Sequence, residues 1–195
     1  SHCQSCDRWS RERSPFRHQR PGRYFGGEGN NTLFGNGGND RFYAGAGNDQ
    51  IFGGSGNDRV QAGDGNNTVF GNGGNDIITT GVGNDRIFGG SGNDKFSSGA
   101  GNDVIYGNGG NDWFDAGTGH DRIFAGSGSD RFVLNAGEGQ VDIFNYGVGD
   151  SFALNSGLSS DTISLQVRGG NTIISSGSDV LARLRGVQVS EITFA

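Results

Sequence analysis

The sequence is short of the residues that anchor many familiar folds and active sites. Its 195 residues include no Met, two Pro, two Cys and three His. So little proline, with glycines that do not fall every third residue, excludes a collagen-type triple helix. No apolar run approaches the ~18 residues of a membrane span, and no apolar signal-peptide core opens the chain. Catalytic signatures are missing too: there is no His-Glu-x-x-His, no Gly-x-Ser-x-Gly, and no glycine-rich loop ending in Lys-Ser or Lys-Thr. His120 only takes the place of an Asn in one repeat. The chain reads as a non-enzyme.

Glycine dominates instead, with 40 residues. In a helix each would cost up to ~1 kcal/mol relative to Ala, so an ordinary helical or doubly wound domain is excluded. Charge divides the chain. Residues 1–25 carry six Arg against Asp7 and Glu12, while the remainder is acidic, for a net charge of −6. With Pro15 and Pro21 and no apolar period, residues 1–25 read as a basic flexible arm. With no interleaved aromatics, that arm does not read as a nucleic-acid binder. Its Cys3 and Cys6, near His2 and His18, are half a zinc motif at irregular spacing or a disulfide, within the arm or between chains.

From Gly26 to Val133 one nine-residue unit is written twelve times, as in Gly53-Gly54-Ser55-Gly56-Asn57-Asp58-Arg59-Val60-Gln61. The eighth position is always apolar (Leu33, Phe42, Ile51, Val60 and so on to Phe132), the fourth is always Gly, and the sixth is Asp except at Asn31 and Asn67. A longer period is superimposed: Gly35-Asn36-Gly37-Gly38-Asn39-Asp40 recurs at Gly71 and Gly107. Beyond Leu134 the rhythm gives way to longer alternating runs separated by glycine turns, which read as a C-terminal β cap over residues 134–195.

The unit resembles the calcium-binding nonapeptide of RTX proteins. The physical reading agrees. Six residues with frequent Gly turn tightly, because Gly accepts φ > 0. The last three form a strand whose central side chain points inward. Two units then close one coil, and the expected fold is all-β: a right-handed parallel β-roll of 18 residues per coil, about six coils and roughly 29 Å long.

Stacking coils puts the sixth positions into two columns. One holds Asp40, Asp58, Asp76, Asp94, Asp112 and Asp130; the other holds Asn31, Asp49, Asn67, Asp85, Asp103 and Asp121. Bare carboxylates ~4.8 Å apart repel by roughly 3–4 kcal/mol at an effective dielectric of 20. A hard divalent cation between coils removes that penalty, and oxygen-only ligands suit Ca²⁺ rather than zinc or copper. Further expected ligands come from the turns at Gly35, Gly37, Gly53, Ser55, Gly71, Gly73, Gly89, Ser91, Gly107 and Gly109. Several inter-repeat sites are expected, up to about ten, weaker or missing at Asn31 and Asn67, with folding coupled to calcium. Asp142 and Asp150 are candidates for one more.

The ninth position of one column is Phe34, Phe52, Phe70, Phe88, Tyr106 and Phe124. If the eighth residue faces inward, these face out as an aromatic stripe. The stripe either stiffens the roll, alone or under the C-terminal segment, or docks on another copy, a surface or an apolar partner. Arg41, Arg59, Lys95 and Arg131 mark the opposite sheet. The ending Glu191-Ile192-Thr193-Phe194-Ala195 resembles a type I secretion signal, which implies an extracellular or cell-surface bacterial protein.

Three roles are open on these grounds. The first is a secreted calcium-folded structural protein that self-associates into a layer, matrix or filament. The second is the folding and secretion module of a larger type I-secreted protein. The third is an ice-binding solenoid, for which the fifth-position Asn row speaks and the single Thr118 at third positions does not.

Overall fold

The computed structural model describes residues 21–194 apart from Glu138 and Ser156. The expectations for residues 1–20, including Cys3, Cys6, His2 and His18, and for Ala195 lie outside the described residues.

Each apolar eighth residue sits at the centre of a short strand, and in-register partners are the residues one coil away: Val60 pairs with Phe42 and Ile78, and Ile87 with Val69 and Ile105. Two parallel sheets result. The first runs Arg23–Phe25, Arg41–Tyr43, Arg59–Gln61, Ile77–Thr79, Lys95–Ser97, Trp113–Asp115, Arg131–Leu134 and Ser151–Leu154 in spatial order. The second runs Thr32–Phe34, Gln50–Ser55, Thr68–Gly73, Arg86–Ser91, Val104–Gly109, Gly119–Ser127 and Gly139–Phe144. The chain alternates between them, so the molecule is a β-solenoid. Its core is the eighth-position ladder: all twelve of these residues are buried, eleven of them at 0–1% exposure and Leu33 at 3%. Phe96, Phe114 and Phe132 stack within that core at 5.1 and 5.3 Å.

The turns are closed from coil to coil. Gly54, at φ 108°, lies so close to the carbonyl of Asn36 that an added Cβ would collide with it. Asn36, Asn72 and Asn108, at φ 69–76°, take the same turn position in alternate coils, which is the physical form of the longer period. Asn tolerates this left-handed conformation better than other L-residues. The fifth-position Asn residues form an outer ladder in which Oδ1 of Asn30 accepts the N–H of Asn48 at 2.7 Å, and Oδ1 of Asn48 that of Asn66 at 2.7 Å.

Three boundaries differ from expectation. Arg23–Phe25, expected as the end of the flexible arm, form a strand paired with Arg41–Tyr43, because Tyr24 stacks on Phe42 at 4.8 Å and Phe25 on Tyr43 at 5.2 Å. The solenoid also continues past Val133 for a seventh coil, Gly139–Phe144 and Ser151–Leu154. There the in-register spacing rises to 20, as between Asp130 and Asp150, so two extra residues sit in the connection near residues 135–138. The cap proper is an antiparallel set of Ile163–Arg168, Asn171–Ser176 and Asp179–Leu184, the last lying parallel to Gly139–Phe144. It covers the last edge of the second sheet, and Thr193 accepts the Phe152 N–H at 2.8 Å on the first. Among the described residues no helix is long and apolar enough to cross a membrane.

Candidate metal centre

The sixth-position side chains are held by the coil before them. The main-chain N–H of Asp40 donates to Oδ1 of Asp58 at 2.8 Å, and Asp58, Asp76, Asp94 and Asp112 repeat the bond to Asp76, Asp94, Asp112 and Asp130 at 2.7–2.8 Å. The other column does the same from Asn31 through Asp49, Asn67, Asp85 and Asp103 to Asp121, at 2.7–3.0 Å. Both columns are therefore brought together as the sequence implied, with every Asp in them at 3% exposure or less.

Oδ1 is thus occupied, and Oδ2 is not. Among the described residues, the Oδ2 atoms of Asp40, Asp49, Asp58, Asp76, Asp85, Asp94, Asp103 and Asp112 are buried with no hydrogen-bond partner. Such an oxygen costs about 1–3 kcal/mol or more unless something positive meets it. What surrounds it is more oxygen. A methyl added at Gly35 would strike both Oδ2 of Asp40 and the carbonyl of Gly53 in the next coil; at Gly53 it would strike Oδ2 of Asp58 and the Gly71 carbonyl. Gly71, Gly89 and Gly107 repeat the arrangement with Asp76, Asp94 and Asp112. At these five positions a Cβ would fill the cradle, whereas the units of Asp49, Asp85 and Asp103 begin with Ala44, Thr80 and Ser98.

Burial pushes the carboxyls of Asp58, Asp94 and Asp103 up to about 6, and those of Asp76, Asp112 and Asp121 up to about 7, with neighbouring carboxylates adding to the effect at all of these but Asp94. Asp40, Asp85 and Asp130 are raised by the same burial. A cation in the cradle would reverse this preference for the protonated form.

The donor set fits calcium. Among the described residues no three His, Cys, Asp or Glu side chains come together as a metal cluster, and the oxygens beside Oδ2 are main-chain carbonyls. Oxygen-only coordination of that kind is the habit of Ca²⁺. The third-position carbonyls of Ser55, Gly73, Ser91 and Gly109 already accept N–H groups of Gly38, Gly56, Gly74 and Gly92 at 2.7–3.0 Å, and Gly37 bridges Ser55. First-position carbonyls, in contrast, face Oδ2. Second- and fourth-position carbonyls, which sequence reasoning did not single out, also face this place: Nδ2 of Asn67 donates to Gly63 at 3.1 Å and Gly65 at 3.0 Å, and the second-position carbonyls of Asn36, Gly81 and Gly99 each accept one main-chain N–H as well.

Asp142 and Asp150, candidates for an extra site, have protein partners. Asp142 pairs with Arg185 at 2.5 Å, and Oδ2 of Asp150 accepts the Gly147 N–H at 2.9 Å. Asp150 nevertheless prolongs one column, its Oδ1 accepting the Asp130 N–H at 2.8 Å.

The aromatic stripe is a continuous stack: Phe34, Phe52, Phe70, Phe88, Tyr106 and Phe124 lie 4.7–5.0 Å apart with planes within 7°, and Phe144 extends it at 4.6 Å. Phe34 is 54% exposed and the others are half-buried. On the opposite sheet Trp113 lies between Lys95 and Arg131, 5.4 and 4.9 Å from its ring.

The family model for the RTX calcium-binding nonapeptide repeat matches residues 25–60, 52–87, 61–96, 70–105, 79–114, 88–123 and 106–141. No curated protein matches the chain. Among solved structures it is similar to the extracellular lipase LipA from Serratia marcescens, at 18% identity and a TM-score of 0.35, over 76% of this chain and 39% of the lipase.

Proposed function

Since the chain belongs to the family of RTX calcium-binding nonapeptide repeats, we propose that it is a secreted bacterial structural protein whose roll is completed by calcium outside the cell. The supporting observation is the set of eight buried Oδ2 atoms without a hydrogen-bond partner among the described residues, five of which, on one side, lie beside a carbonyl oxygen of the next coil. Asp40, Asp58, Asp76, Asp94 and Asp112 on one side, and Asp49, Asp85 and Asp103 on the other, would hold the ions with the first-, second- and fourth-position carbonyls of the turns. When bound, calcium supplies the positive charge that lets stacked carboxylates remain ionised in a thin core. The chain's own part is to fix each carboxylate by the N–H of the preceding coil and, on the side of Asp40 to Asp112, to keep the cradle clear with glycine. Millimolar extracellular calcium would keep such sites filled. Far-UV circular dichroism and size-exclusion chromatography in chelator, then in millimolar calcium, test this. A compact β-rich chain that forms only with calcium is expected; a fully formed roll in chelator at neutral pH would overturn it.

The aromatic stack carries the finer part of the proposal, self-association into a layer, matrix or filament, because it is a straight apolar strip on one sheet face. A second reading, a folding and secretion module of a larger type I-secreted protein, is favoured by the way the rings cover one another and leave only Phe34 more than half exposed. Light scattering and electron microscopy in calcium separate the two: large regular particles support self-association, and a monomer at all concentrations supports the module. No catalytic role is proposed.

A further inference from the structure

Asn31 and Asn67 break the aspartate column in a way that the calcium reading, on which this inference rests, does not account for. Oδ1 of Asn67 accepts the Asp49 N–H at 3.0 Å, the place that Oδ1 of aspartate takes elsewhere. That fixes the amide: its nitrogen stands where the aspartates put the unpartnered Oδ2. There it donates to the Gly63 and Gly65 carbonyls. Asn31, half-buried where Asn67 is buried, has more acceptors around its amide nitrogen. Its Nδ2 meets four oxygens, the Gly29 carbonyl at 2.7 Å, Oδ1 of Asp49 at 3.2 Å, the Gly27 carbonyl at 3.4 Å and the Ala44 carbonyl at 3.5 Å. A methyl at Gly26 would strike this nitrogen and the Ala44 carbonyl, just as one at Gly35 would strike Oδ2 of Asp40 and the Gly53 carbonyl. The same cradle is present in both cases, once with an oxygen at its mouth and once with a hydrogen-bond donor.

We propose that the Asn31 and Asn67 amides are built-in substitutes for the cation. They fill two inter-coil cradles with N–H donors, so those two cradles take no calcium and need none. An amide carries two protons to share among acceptors, and it brings no charge that must be balanced. In place of the expectation that Asn serves as a weaker oxygen ligand, the oxygen of Asn67 is spent on the Asp49 N–H and the amide nitrogens of both residues face the carbonyls. The inter-repeat calcium count falls to the eight cradles whose Oδ2 is unpartnered. The two amide-filled cradles lie at the N-terminal end of one column, with the Asp49 cradle between them, so on that side the first coil joins the second, and the third the fourth, without metal.

The test counts calcium bound to the full chain, by equilibrium dialysis and native mass spectrometry, for the wild type, Asn67→Asp and Asp85→Asn. Asn67→Asp should bind one ion more than the wild type and Asp85→Asn one fewer. Equal counts for Asn67→Asp and the wild type would overturn the proposal. A wild type that binds no calcium would remove the calcium reading instead. The amide is then judged by thermal melting without calcium at pH 7, where Asn67→Asp should melt below the wild type; equal melting would overturn its role as a donor.

Discussion

The main-chain N–H of Asp76 donates to Oδ1 of Asp94 at 2.8 Å, while the other oxygen of Asp94 is buried and bonded to nothing. One carboxylate thus performs two tasks, joining successive coils through the backbone and facing the gap between them with an uncompensated acceptor. Substitutions can separate those tasks.

At position 94, Asp94→Asn keeps the acceptor for Asp76 and turns the second atom into a donor. It should lower the calcium count by one and leave the roll folded. Asp94→Ala removes both and strands the Asp76 N–H, a loss of about 1–3 kcal/mol. Calcium titrations followed by circular dichroism should therefore show a higher calcium midpoint for Asp94→Ala than for Asp94→Asn; the same midpoint for both would contradict the division of labour.

Protons should replace part of the need for calcium. Carboxyls pushed up to about 6 or 7 by burial in the fold return to about 3.9 when the chain unfolds. Between those values the folded state binds more protons, so stability without calcium rises as pH falls from above 7 toward 4. In chelator, folded content at pH 5 should exceed that at pH 8. With calcium present the dependence reverses, since protons compete for Oδ2 and the calcium midpoint should climb as pH drops below 7. A chelated chain equally unfolded at both pH values would argue against the buried carboxyls as the obstacle.

Gly53 is a steric rather than a conformational requirement. Its Cβ position is filled by Oδ2 of Asp58 and the Gly71 carbonyl. Gly53→Ala should abolish at least one calcium site and raise the calcium midpoint of folding. Gly27→Ala, at φ 88° with no atom within 4 Å of the added carbon, should cost only the ~1 kcal/mol of a left-handed alanine and leave the count unchanged. Ion counting on the two variants distinguishes them.

The two aromatic stacks should differ in cost. Phe96 is fully buried, and Phe96→Ala should lose about 3–5 kcal/mol. Phe70 lies between Phe52 and Phe88 at 5.0 and 4.7 Å but is half-buried, so Phe70→Ala should lose less, of order the 0.5–1.5 kcal/mol of its ring contacts plus its covered area. Denaturant melts in saturating calcium measure both, and a loss at Phe70 as large as at Phe96 would mean that the outer stack is structural core.

Much of this was legible because the repeat is strict. The period of nine placed Val60, Ile78 and Phe96 inside and Phe52, Phe70 and Phe88 outside without any knowledge of the fold. The seventh coil was hidden because two extra residues near 135–138 shift the spacing to 20 and Val141 stands where Asp121 has its carboxylate. Tyr24 escaped notice because no glycine-rich turn in the register of the repeat precedes it. The orientation of the Asn67 amide is a matter of packing: only the Asp49 N–H decides which end of that side chain faces the cradle, and composition carries no trace of it.

In-register bonds, 18 residues apart and 20 at the last coil, join each coil of the roll to the next through main-chain N–H groups that donate to carbonyls and to aspartate Oδ1. The strands lie across the long axis, so a force applied at the two ends would open these bonds a few at a time, like teeth of a zip, instead of shearing a whole sheet. Each coil that yields would free roughly 60 Å of chain. The protein would lengthen under load in near-equal increments, and calcium would set the force at which each one gives.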